Sequence, residues 1–339
     1  MANAKQAREW AQSSLRGVAD SLYTPFSGTD GDDIDYEAYR ALIRYCLGDL
    51  DHDGLWLTSS LAEWWALTLD ERKQLAEVAV DEARRVKPSA FLQVCSLAIS
   101  AKDTVELTQH AQDIGADICY LQNPVMEAHG GPGMLEFFKY VADRTDIALG
   151  MFNSPSSGYE MSVAEIVRVA EEIPAMCAVK DPSTGWGARN GQAAAKMAPG
   201  KLVYWDVSAG ISSYMAGYVQ LGFQAPAVLG GVGYLTETPS DKRYSNWFSL
   251  VLEGKLEEAR EHYFSADVST ASSHGLDYTQ LPERPGYWTH FGGAFKYCAE
   301  LVGLPVGDYP HSRPPQLKLT DDQKARIKKA YVESGLIDA

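Results

Sequence analysis

Short apolar runs alternate with longer stretches of helical periodicity along most of this chain, a pattern that leaves few folds open. The runs fall at residues 17–23, 54–58, 90–95, 118–122, 147–152, 176–180, 202–207 and 225–229. Helical patterns occupy 35–48, 68–85, 102–115, 133–144 and 162–172 between them. Thr68-Leu69-Asp70-Glu71 and Ser162-Val163-Ala164-Glu165 read as capping boxes at two of the helix starts. Eight strands with intervening helices predict an α/β fold, a (β/α)8 TIM barrel. An open doubly wound sheet is the competitor. It finds no Gly-x-Gly-x-x-Gly after the first strand, and no phosphate-loop lysine motif occurs anywhere in the chain. Beyond residue 236 the pattern turns helical, near 241–252, 256–268, 291–302 and 320–334. The expected organisation is a barrel over 1–236, opened by a short N-terminal helix, with a C-terminal helical extension over 237–339 packed on it.

A net charge of −15 argues against nucleic acid or an anionic membrane as partner. Cys46, Cys95, Cys119, Cys177 and Cys298 are widely spaced, and three lie inside apolar strand-like runs. They read as buried thiols of a reducing compartment and not as a disulfide frame or zinc site. Residues 207–236 carry no charge, yet seven glycines and prolines interrupt them, so they parse as strand, buried helix and strand and not as a membrane span. The polar N-terminus does not read as a secretory signal. The expected setting is cytoplasmic.

Lys180 is the residue that stands out. It ends the apolar run Pro174-Ala175-Met176-Cys177-Ala178-Val179, just before Asp181-Pro182-Ser183. Burial disfavours a lysine's ammonium form, and only the neutral amine attacks a carbonyl. The plainer reading is a lysine that snorkels to water where its strand leaves the core. Barrels of this kind carry their chemistry at the C-terminal ends of strands. Lys180 ends the sixth strand. Ser59, Ser60 and Glu63 follow the second, Asn153 and Pro155 the fifth, and Ser208 to Gly210 the seventh. One mouth is expected to gather them, which favours the reactive reading.

In order and spacing these residues resemble the dihydrodipicolinate synthase and N-acetylneuraminate lyase family of class I pyruvate aldolases, over nearly the whole chain. Thr24-Pro25-Phe26 is similar to the family's opening. Ser59-Ser60-Leu61-Ala62-Glu63 stands for its Gly-Thr-Thr-Gly-Glu, and Phe152-Asn153-Ser154-Pro155 for its Tyr-Asn-x-Pro. Val179-Lys180-Asp181 is similar to its Schiff-base element, and Leu301-Val302-Gly303-Leu304 and Arg313-Pro314-Pro315 to its terminal signature. The resemblance implies a small pyruvoyl substrate held as an imine on Lys180, with no separate cofactor and no metal. Ser60 would relay a proton. The amides around Ser60 and Leu61, with Gly210, would hold the carboxylate, and Ser59, Phe152 and Asn153 would line the site. A homotetramer is the expected assembly. His52, His110, His262 and His311 read as exposed or structural, whereas His129 is a candidate site residue.

The departures from the family pattern are informative. Its acid/base tyrosine is Phe152 here, and phenylalanine carries no proton. A bound water, the substrate carboxylate, Ser60, His129, or a tyrosine such as Tyr23 or Tyr120 must then act in its place. The tyrosine lent by a neighbouring subunit is replaced by Val125-Met126, and Ser157 stands where the synthase has an arginine for its aldehyde substrate, which argues against synthase activity. Leu61, Trp64, Trp65, Trp186 and Trp205 shift the site toward bulk and apolarity. The expected activity is therefore a Schiff-base aldolase or hydratase-aldolase joining pyruvate to, or releasing it from, a bulky or aromatic aldehyde. A ketoacid dehydratase or decarboxylase using the same imine, or a non-catalytic ligand-binding paralogue, are the alternatives.

Overall fold

The computed structural model describes residues 3–122, 130–154, 159–181, 190–206, 227–231, 233–268, 280–281, 284–288 and 291–338. Its strands are β1 Gly17–Ser21, β2 Gly54–Leu57, β3 Phe91–Cys95, β4 Ile118–Leu121, β5 Ala148–Phe152, β6 Met176–Lys180, β7 Val203–Asp206 and β8 Ala227–Gly231. They close into a barrel in which β1 lies between β8 and β2. Each registered pair from β2 through to β8 is parallel. Every residue of β1 to β6 is buried, as parallel strands covered on both faces require. The strands fall within a residue or two of the predicted runs.

The chain separates into two compact units, each drawn from distant segments. The first comprises Met1–Ala19, Asp53–Leu57 and Phe91–Gly231. It holds nearly all of the barrel together with helices α1 Ala7–Ser14, α4 Ala101–Asp113, α5 Pro132–Ala142, α6 Val163–Glu172 and α7 Asn190–Met197. In α6 the expected capping box forms: Ser162 accepts from the Glu165 N–H, and the Glu165 carboxylate accepts from the Ser162 N–H.

The second unit comprises Asp20–His52, Thr58–Ala90 and Val232–Ala339. It contains α2 Tyr36–Arg44, α3 Leu69–Val86, α8 Arg243–Leu252, α9 Leu256–Ser265, α10 Phe291–Leu301 and α11 Asp321–Glu333. The Thr68 capping box opens α3 as predicted. A short antiparallel pair, Phe26–Ser27 with Asp33–Ile34, was not legible as alternation because each strand is only two residues long.

Two buried charge clusters organise this second unit. The His52 ring lies between two carboxylates, with Nδ1 2.5 Å from Asp20 and Nε2 2.5 Å from Glu237. Burial alone would lower the His52 pKa, but Asp20 and then Glu237 outweigh it and raise it to about 10. The imidazolium donates from both nitrogens, and the hydroxyl and N–H of Ser245 also donate to Glu237. In the second cluster Lys296, fully buried, donates to Glu63 Oε1 at 2.8 Å and to the His311 carbonyl at 2.9 Å. The Arg313 N–H donates to the other Glu63 oxygen, and the Phe26 ring lies 3.9 Å from Lys296 Nζ. Burial lowers the Lys296 pKa despite the Glu63 charge.

All five cysteines are buried and form no disulfide. Among the described residues no helix is long and apolar enough to cross a membrane.

Candidate active site

Lys180 closes β6, where the strand register sets Phe152 on one side of it and Trp205 on the other. It does not snorkel: only 4% of its surface is exposed. The Asn153 N–H donates to the Lys180 carbonyl at 2.8 Å, which fixes the backbone at the strand end. The next residue, Asp181, is fully buried, and its carboxylate accepts from the Gly191 N–H and from the Asn153 amide. The rest of that amide is engaged by the Met161 backbone, Oδ1 accepting from N–H at 2.7 Å and Nδ2 donating to the carbonyl. Asn153 thus clamps the segment after Lys180.

Three aromatic faces meet the Lys180 side-chain nitrogen. Nζ lies 4.1 Å from the ring centre of Trp56, 4.2 Å from that of Trp205 and 4.5 Å from that of Phe152. Ring faces attract positive charge, and the attraction grows when water is excluded. The same geometry would favour an iminium at this nitrogen as well as an ammonium. Phe152, which carries no proton, presents a π face to Nζ.

Residues opposite in register share a sheet face, as do residues two apart. By these rules Trp56, Gln93, Tyr120, Phe152, Lys180 and Trp205 all face the same way in the barrel. The rings confirm it. Trp56 stacks on Trp205 at 4.1 Å, meets Tyr120 edge-on at 4.4 Å and reaches Phe152 at 5.9 Å. Opposite Tyr120 in register stands Gly150. A Cβ there would overlap the edge of the Tyr120 ring, 2.6 Å from Cδ1 and 2.7 Å from Cζ.

This interior is apolar in shape but not in chemistry. Among the described residues the Trp56 and Trp205 indole N–H groups, the Tyr120 hydroxyl, both amide atoms of Gln93 and Nε2 of Gln122 are buried without a hydrogen-bond partner. Burial, followed by the Cys177 and Cys95 thiols, raises the Tyr120 pKa well above its ordinary value, so the phenol is neutral. Tyr23 is also fully buried, but its hydroxyl donates to the Pro305 carbonyl at 2.8 Å.

The other predicted site residues distribute as follows. Ser59, Ser60, Leu61 and Trp64 belong to the second unit. There the Ser59–Ala62 loop is bracketed by two left-handed residues, Thr58 (φ 53°) and Glu63 (φ 59°). That conformation is strained for β-branched Thr58 and persists only where the surroundings enforce it. The Ser59 and Ser21 hydroxyls lie 3.2 Å apart, Thr24 donates to the Ala62 carbonyl at 2.8 Å, and Glu63 is tied to Lys296. Leu61 is buried, Ser60 is partly exposed, and the half-buried Trp64 has the Arg72 guanidinium 5.6 Å above its ring. His129, Trp186 and Gly210, with Val125, Met126, Pro155 and Ser157, lie outside the described residues. Sequence reasoning missed Trp56. The available signal was strand parity, which aligns Trp56 with Gln93 and, around the barrel, with Lys180.

A model of the Dihydrodipicolinate synthetase family matches residues 14–333. A protein of Escherichia coli K12 described as a putative 2-dehydro-3-deoxy-D-gluconate aldolase, YagE, is 25% identical over 277 residues, 81% of this chain and 83% of its own. An uncharacterized DapA-like lyase of Thermococcus onnurineus is 31% identical over 167 residues, 49% of this chain. The chain spans about half the length of that archaeal relative and of its Thermococcus kodakarensis counterpart, 55% and 54%. Among solved structures, that of a putative dihydrodipicolinate synthetase from Pseudomonas aeruginosa superposes with a TM-score of 0.78 at 19% identity, covering 95% of this chain and all of that one. At that identity the likeness speaks for the fold.

Proposed function

Because this chain belongs to the dihydrodipicolinate synthetase family, we propose that it is a class I lyase in which Lys180 forms an imine with the ketone carbon of pyruvate or a pyruvoyl compound. The observation that carries the reading is Lys180 itself, buried at the end of a barrel strand and enclosed by three aromatic faces. The neutral amine adds to the carbonyl carbon, and loss of water with uptake of one proton leaves an iminium. The iminium accepts the electron pair of the breaking C3–C4 bond while the C4 hydroxyl gives up its proton, yielding an enamine and an aldehyde; in the other direction the enamine attacks the aldehyde and the new C4 oxygen takes the proton back. Trp56, Phe152 and Trp205 favour the cationic form of the adduct, in a setting where water would otherwise compete for it.

A bulky or aromatic aldehyde as second substrate belongs to the same proposal. It is supported by the π surface around Nζ, which offers an aromatic group faces to stack on.

Borohydride trapping tests the proposal. The protein is incubated with pyruvate, reduced and digested, and mass spectrometry is expected to find a pyruvyl adduct on Lys180. No adduct across a pyruvate titration of the folded protein would overturn the reading. Product analysis with aromatic pyruvoyl substrates then separates cleavage, which releases an aldehyde, from dehydration or decarboxylation, which does not.

A further inference from the structure

Among the described residues, the barrel interior around Lys180 holds a hydroxyl, that of Tyr120, with no hydrogen-bond partner. Tyr120 is fully buried, and its oxygen has no partner among the described residues. Its ring is one aromatic ring removed from the lysine, since Trp56 lies 4.1 Å from Nζ and 4.4 Å from the centre of Tyr120. The ring also occupies room that exists only because residue 150 is glycine, which has no Cβ to exclude it. A phenol used for packing alone gains nothing from its oxygen here. Phenylalanine would fill the same space without leaving a buried polar atom unmet. Gln93 adds to the anomaly, because its amide is buried and unbonded on the same face of the sheet. Such groups are satisfied when a polar guest or water enters.

We propose that Tyr120 is the proton-transfer group for the Lys180 imine, its hydroxyl delivering a proton to, and removing it from, the carbon adjacent to the imine. This rests on the imine reading above. In the forward step the enamine electron pair forms the new C3–H bond while the phenol O–H bond breaks. The C=N bond re-forms as iminium, and the phenolate is left opposite that positive charge. In reverse, the phenolate takes the C3 proton and the electrons return to the enamine, so charge and protons balance in both directions. The neutral phenol is the form that burial favours, and it suits the donor role. Tyr23, the other fully buried candidate, spends its hydroxyl on Pro305.

The test uses the full chain with pyruvate as probe and needs no knowledge of the aldehyde. Exchange of the pyruvate methyl protons in deuterated water is followed by proton NMR for wild type and Tyr120→Phe. Borohydride trapping of Lys180 is run in parallel, and thermal melts are recorded for both proteins. The variant is expected to slow exchange by about 100-fold or more. Its trapped adduct should be undiminished and its Tm no lower than wild type. Three results overturn the inference: exchange within about threefold of wild type while the adduct forms normally, no exchange in wild type despite an adduct, or a lowered Tm, which would reveal a structural partner for the hydroxyl. Absence of any adduct in wild type is a different failure. It removes the imine reading and this inference with it.

Discussion

Burial and aromatic contact pull in opposite directions at Lys180. Removing Nζ from water penalises its charge, while each of the three ring faces returns about 0.5–2 kcal/mol to a cation held there. A site that needs positive charge on one nitrogen once the iminium forms gains from faces that do not react. Phe152 supplies such a face without an ionisable group of its own. The enclosing packing is tight, and Gly150 shows where. Gly150→Ala would drive a methyl group into the Tyr120 ring. It is expected to lower stability by about 1–3 kcal/mol in urea denaturation. A neutral result would mean that the ring is free to shift, and that its place beside Trp56 is not enforced.

The helices that begin at Thr68 and Ser162 show why parts of the fold could be read directly. A capping box is a local rule: side chain and backbone three residues apart satisfy each other, so four letters of sequence suffice. Thr68→Ala at the head of Leu69–Val86 is accordingly expected to cost about 1 kcal/mol, seen as a lower denaturation midpoint with an unchanged slope. The strand runs were legible for a similar reason, since burial on both faces leaves an unbroken apolar stretch. Trp56 was not, because its use depends on which residue of a distant strand lies beside it, and register is written in no single segment. The partners of Glu63 were hidden in the same way. Glu63 was expected near the chemistry, yet its carboxylate is engaged by Lys296 and the Arg313 N–H, 233 and 250 residues further along.

The buried His52 gives the molecule a pH dependence of its own. Its folded pKa of about 10 lies above the ordinary 6.5, so the imidazolium stabilises the fold fully below about pH 6.5. That contribution is lost as pH rises toward 10, with a slope of up to about 1.4 kcal/mol per pH unit. Melting temperatures measured from pH 6.5 to 10 are expected to fall for wild type and to fall less steeply for His52→Gln. Equal slopes in the two proteins would show that another group sets the alkaline limit.

The pairing of Glu63 with Lys296 and Arg313 also bears on how the chain is made. During synthesis, residue 63 leaves the ribosome long before either partner exists. Its carboxylate cannot enter the core until more than two hundred further residues have been added, because a lone charge there would be expensive to bury. The second unit therefore completes its fold only after Lys296 and Arg313 have been made. Until then the early helices of this unit lack the contacts that the later segments supply, and apolar surface left open in that interval is the kind that chaperones bind.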